Sequence, residues 1–124
     1  MSRQKAFSIC EKSWPVNELT VNTIVVTALG TPGHSIGHTS FVVASGGARV
    51  LVQGDVCNHF VVFARHPDWH GWFDQDPAQA AATRRRLYDM LVAERMPVQA
   101  YHHPFPALSR VEKDGNGYRV VPAA

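Results

Sequence analysis

The sequence predicts an α+β fold, a mixed β-sheet with one main helix, on three observations. Short β-branched and apolar runs recur along the chain, each closed by Gly, Pro, Asn or Asp. One segment, starting at Asp76, carries a helix start signal, a one-sided apolar stripe and a proline stop. The 124 residues, 45% hydrophobic and 18% charged, have the size and composition of one globular domain, which excludes disordered, collagenous and coiled-coil chains.

The elements follow in order. Residues 23–29 (TIVVTAL) read as a strand ending at Gly30, and the loop 31–38 (TPGHSIGH) follows it. Residues 39–44 pair with 49–52 as a hairpin across Ser45-Gly46-Gly47-Ala48, which delivers Gly54-Asp55 at a strand end. From Val56 to Gln75 the pattern is irregular and holds Trp69, Trp72, Phe73 and three histidines, as expected of a long functional loop. Asp76 then caps a helix, Pro77 fits its first position and Gln79 completes a D-x-x-Q capping box. Ala80, Thr83, Leu87, Met90 and Leu91 supply its apolar stripe to about Arg95, and Pro97 stops it. Residues 98–102 read as another strand. Residues 108–113 and 118–121 form a closing hairpin around Asp114-Gly115-Asn116-Gly117.

Charge and composition narrow the function. The net charge is +2, and the Lys and Arg residues are scattered apart from Arg84-Arg85-Arg86, so no basic stripe for nucleic acid is present. That triplet reads as a solvated helix face, because three consecutive positions cannot share one side. No apolar run suits a signal segment or a membrane span, so the expectation is a cytoplasmic protein without a membrane partner. Cys10 and Cys57 lie far apart and outside any metal-type spacing, and read as lone thiols.

Three features place candidate ligands at strand ends. His34 projects from a turn whose Gly33 lets the backbone come close to whatever the imidazole binds. Asp55 follows an apolar strand, where a carboxylate is costly unless a cation or a hydrogen-bond network receives it. His102 lies where a strand meets Pro104-Phe105-Pro106, and the prolines fix the direction of exit. Neutral imidazoles and a carboxylate suit zinc, iron(II) or manganese(II). Such residues are more often capping or hydrogen-bonding groups, and composition alone leaves both roles open.

Taken together, TPGHSIGHTS (31–40), QGD (53–55) and YHHPFP (101–106) resemble the metallo-β-lactamase superfamily over about residues 20–122. The Pro-Phe-Pro tail and the Asp74 to Arg84 segment are most similar to its lactonase-like and methyl-parathion-hydrolase-like branch. The resemblance implies that residues 1–124 form a single partial domain, the C-terminal half of an αββα sandwich. It also implies two metals held by histidines and aspartates, and a metal-bound hydroxide that hydrolyses an ester-like small molecule such as a lactone, thioester or phosphotriester. Carried over by position, His34 would bind the first metal, Asp55 would bridge both and act as the catalytic carboxylate, and His102 would bind the second. His38 would hydrogen-bond the loop, and the cofactor would be zinc or another divalent metal such as iron or manganese.

One motif of the superfamily, H-x-H-x-D-H, has no counterpart, since no histidine precedes His34. His59, His66, His70 and His103 lack the i, i+2 spacing that would replace it, and read as polar loop residues. Trp69, Trp72 and Phe73 read as pocket wall or as packing against the helix. Weak metal binding follows, together with a need for a homo-oligomer or a complementing N-terminal half. The alternative is a non-catalytic truncated remnant, or a subunit whose partner chain carries H-x-H-x-D-H.

Overall fold

The computed structural model describes residues 16–123, so Cys10 lies outside the described residues. Among these, seven strands form one mixed sheet in sequence order: β1 (Val16–Val21), β2 (Ile24–Gly30), β3 (Thr39–Ser45), β4 (Ala48–Val52), β5 (Val98–Gln99), β6 (Leu108–Asp114) and β7 (Gly117–Pro122). All neighbours are antiparallel except β4 and β5, which are parallel. A parallel pair needs a long crossover. Here it is the segment holding a short helix α1 (Val62–Arg65) and the main helix α2 (Pro77–Glu94).

The predicted α+β class, the β3–β4 and β6–β7 hairpins and the main helix are all present. The Asp76 carboxylate accepts the Gln79 backbone N–H at 3.0 Å, and Pro77 occupies the first turn. Arg95 ends the helix in the left-handed region at φ 51°, with its N–H on the carbonyls of Leu91 and Val92.

Four readings need correction. β1 was not anticipated: Val16–Val21 pairs along its length with β2, and its own sequence, VNELTV, carries charge and amide groups that weaken the strand pattern. The strand expected at 98–102 stops at Gln99, because Ala100 donates to Ala107 and His103 to Ala100, folding Tyr101 and His102 into a turn. The irregular stretch 56–75 contains α1. The arginine triplet is not a solvated face, since Arg84 is 1% exposed and points inward with Ala80, Leu87, Tyr88 and Leu91.

One face of the sheet is covered by the helices. Leu29, Val42, Leu51, Val98 and Val111 pack there with Leu87, Tyr88, Leu91 and Tyr118 in a single core. The period of two sends their neighbours to the opposite face. On that face Leu19 pairs with Val26, Val26 with Val43 and Val43 with Val50, while Ala28, Phe41 and Val52 form a second row. Leu19, Val21, Ile24 and Phe41 are exposed there.

Candidate functional site

The site lies where β2, β4 and β5 end. The turn after β2 is closed by the Thr31 N–H on the His38 carbonyl at 2.8 Å. It is strapped to the start of α2 by the Asp76 N–H on the Gly33 carbonyl (2.9 Å), the Gln75 N–H on the His34 carbonyl (3.1 Å) and the Thr83 hydroxyl on the Pro32 carbonyl (2.6 Å). Gly33 is required at this contact. Its φ is +136°, and a Cβ there would stand 2.3 Å from the Ala80 nitrogen.

His38 joins this turn to the end of β4. Its Nε2 accepts the Asp55 backbone N–H at 2.9 Å, so Nδ1 carries the proton and faces the Thr31 hydroxyl (2.7 Å) and carbonyl (3.1 Å). Burial lowers its pKa, which favours this neutral form. Gly54, at φ +63°, lets the chain pass His38, whose Nε2 would lie 2.8 Å from an added Cβ. The Thr31 hydroxyl continues to Ser40 at 3.0 Å, and Ser40 donates to the Gln53 carbonyl at 3.0 Å.

The structure brings His34, Asp55 and His102 together. Asp55 Oδ2 is 3.3 Å from His34 Nε2, and Oδ1 is 2.6 Å from His102 Nε2. Burial would raise the Asp55 pKa, but hydrogen bonds from Tyr101 and His102 outweigh it and hold the carboxyl below its usual range. The Tyr101 hydroxyl donates to Oδ1 at 2.5 Å, and that bond first, with burial second, pushes the phenol up to about 12.

Two residues of this cluster escaped the sequence reading. The sequence places Tyr101 in a strand, where alternation points it away from His102. Asp74 lies 40 positions from His34 in sequence, yet its Oδ1 is 3.1 Å from His34 Nδ1. The Phe73 ring also leans on His34, with centroids 5.9 Å apart.

The remaining histidines serve elsewhere. His59 Nδ1 accepts the backbone N–H groups of Val61 and Val62 at 3.2 Å, at the start of α1. His66 stacks on Trp69 with centroids 4.0 Å apart, and His70 is exposed. Trp69 and Trp72 are exposed and only Phe73 is packed inward, against Phe63 and His34.

His103 is buried, and neither ring nitrogen has a hydrogen-bond partner. Burial, with a smaller push from His102, lowers its pKa from 6.5 to about 4. The folded chain therefore keeps His103 neutral where the unfolded chain would protonate it. Stability from this group is complete above pH 6.5 and declines as pH falls toward 4. The urea midpoint is expected to drop between pH 7.5 and 4.5, and to drop less in His103→Leu; equal losses in both chains would refute the assignment.

The donor geometry bears on metal binding. Two ligand atoms each about 2.0–2.1 Å from one tetrahedral ion are separated by about 3.3 Å. The His34–Asp55 pair has that spacing, at 3.3 Å, whereas His102 and Asp55 at 2.6 Å are at hydrogen-bond distance. Among the described residues no group of three or more His, Cys, Asp or Glu is set to hold an ion by itself. The His34–Asp55 spacing is compatible with a shared ion, while the His102–Asp55 contact is set as a hydrogen bond.

No protein-family model matches the sequence, and neither does any curated protein. Solved structures do. AidC, a dizinc quorum-quenching lactonase, is 24% identical with a TM-score of 0.80 over 86% of this chain and 36% of that one. The hydrolase AbOPH of the β-lactamase superfamily is 22% identical, with a TM-score of 0.76 over 86% and 36%. A probable metal-dependent hydrolase from Staphylococcus aureus is 20% identical, with a TM-score of 0.62 over 87% and 39%. The chain spans little more than a third of the length of these structures, and its sheet and helix have the fold of half of a metallo-β-lactamase domain. Among the described residues no helix is long and apolar enough to cross a membrane.

Proposed function

We propose that residues 1–124, as a single partial domain, supply the C-terminal half of a metal-dependent hydrolase acting on ester-like small molecules such as a lactone, thioester or phosphotriester. The observation that carries this reading is the Asp55 carboxylate set between two imidazoles, one oxygen facing His34 Nε2 and the other His102 Nε2. The similarity to a lactonase and to a hydrolase of the β-lactamase superfamily supports it.

In this reading His34, Asp55 and His102 would hold zinc or another divalent metal, and a complementing N-terminal half would supply the missing ligands. Such a cation would supply Lewis acidity toward the ester-like oxygen and a water of lowered pKa. The chain's own residues do the rest. Without a cation, Tyr101 and His102 both donate to Asp55 and hold its carboxyl below the usual range despite burial; holding the cation would require His102 Nε2 to give up that proton, while Tyr101 would still donate. His38 fixes the backbone of Asp55 from beneath, which sets the direction of the carboxylate.

The test combines the chain with an N-terminal half from a related enzyme that carries H-x-H-x-D-H. The chain alone is expected to retain well under one metal after dialysis and to hydrolyse lactones and aryl phosphotriesters near background. The complemented protein is expected to show chelator-sensitive turnover. Asp55→Ala should lower it by more than about a hundredfold, beyond the ten- to hundredfold typical of losing an outer partner of a ligand. Complemented protein that binds no divalent metal would overturn the proposal. Two tightly held metals in the chain alone would overturn the need for a partner.

A further inference from the structure

We propose that Asp74 is the positioning residue of this centre: its buried carboxylate accepts the Nδ1–H of His34 and so presents Nε2 to Asp55. The proposal deepens the metal-site reading by giving Nε2 its task, but the hydrogen bond stands independently of it.

The Asp74 side chain is fully buried, Oδ1 lies 3.1 Å from His34 Nδ1, and Oδ2 has no hydrogen-bond partner. A carboxylate is costly to bury, so its placement under this one imidazole calls for a reason beyond packing. Carboxylates flank both ring nitrogens, but the hydrogen bond is the one between Nδ1 and Asp74 at 3.1 Å, while Nε2 and Asp55 lie farther apart at 3.3 Å, so a single ring proton belongs on Nδ1 and leaves the Nε2 lone pair free. That lone pair faces Asp55 Oδ2 at 3.3 Å. Two acceptors facing each other are favourable with a cation between them. A carboxylate on the far nitrogen of a ligating histidine is the arrangement that orients the ring and raises its basicity.

The main-chain course of the turn does not depend on this bond. Asp76, Gln75 and Thr83 tie Gly33, His34 and Pro32 to the helix start, and the Ile36 N–H donates to Gln75 Oε1 at 3.2 Å. Removing the Asp74 carboxylate therefore leaves the loop in place and frees the ring, which separates positioning from folding.

The test uses the 15N-labelled chain, freed of metal with a chelator, at pH 9. Long-range proton–nitrogen correlation reads the His34 tautomer, assigned with His34→Gln. The wild type is expected in the Nδ1–H form. Asp74→Leu should move the ring toward Nε2–H without lowering the melting temperature, and Asp74→Asn, which keeps an acceptor, should restore Nδ1–H. In the protein complemented with the N-terminal half, Zn2+ affinity by dye competition should fall about ten- to a hundredfold in Asp74→Leu and less in Asp74→Asn. A wild-type His34 in the Nε2–H or doubly protonated form overturns the proposal, as does an unchanged tautomer in Asp74→Leu. If Asp74→Leu does not fold, the wild-type spectrum decides alone. Because the tautomer is read without metal or substrate, a complemented protein lacking hydrolysis would remove the proposed function while leaving this result intact.

Discussion

Arg84→Met is expected to destabilise the chain by about 3–5 kcal/mol, the largest effect of any single substitution away from the site. The guanidinium donates from Nε to the Val56 carbonyl at 2.8 Å and from one terminal nitrogen to the carbonyls of Pro67 and Trp69, both at 2.7 Å. It also lies over the Phe63 ring, 5.2 Å from the centroid. Methionine fills similar space but leaves these carbonyls without a donor, and an unsatisfied buried acceptor costs roughly 1–3 kcal/mol. Arg84→Lys should recover little, because a single ammonium cannot reach as widely as the planar fork. Urea unfolding monitored by tryptophan fluorescence reads the loss directly. A change below about 1 kcal/mol would show that the loop from Val56 to Trp69 is held by other contacts.

The second large effect concerns assembly. In size-exclusion chromatography with light scattering, the chain is expected as a dimer or larger assembly rather than a monomer. Leu19, Val26, Val43 and Val50 run in register across four strands, Phe41 and Val52 extend the patch, and no element among the described residues covers it. A contiguous apolar surface beyond a few hundred Å² is uncommon on soluble monomers. A second sheet stacked at about 10 Å buries it, and a two-fold pair is the closed arrangement available to one kind of chain. Phe41→Asp should shift the population toward monomer or reduce solubility, because burying an unpaired carboxylate in a sheet interface is strongly unfavourable. A monodisperse wild-type monomer with a sharp cooperative melt would count against the prediction. Addition of the complementing N-terminal half should dissociate the homo-oligomer, since both occupants need the same face.

The strongly local features of this protein were determined by its sequence. The helix start needs only Asp76, Pro77 and the first free N–H groups, all within one turn. The tight turns Gly46-Gly47 and Gly115-Asn116 set the register of their hairpins through backbone chirality. His34, Asp55 and His102 were legible because each follows a strand ending at the same rim, and their motifs have a known resemblance. The tertiary structure alone decided the rest. Whether an arginine on α2 faces water or core depends on what the 56–75 segment offers it, and three carbonyl oxygens drawn from that segment turned Arg84 inward. Asp74 could be recognised only once the turn after β2 was strapped to the helix start, bringing together groups 40 positions apart. Alternation along β2, β3 and β4 already marks Ile24, Val26, Phe41, Val43, Val50 and Val52 as one apolar face, and the packing of α2 against the opposite face is what leaves it bare.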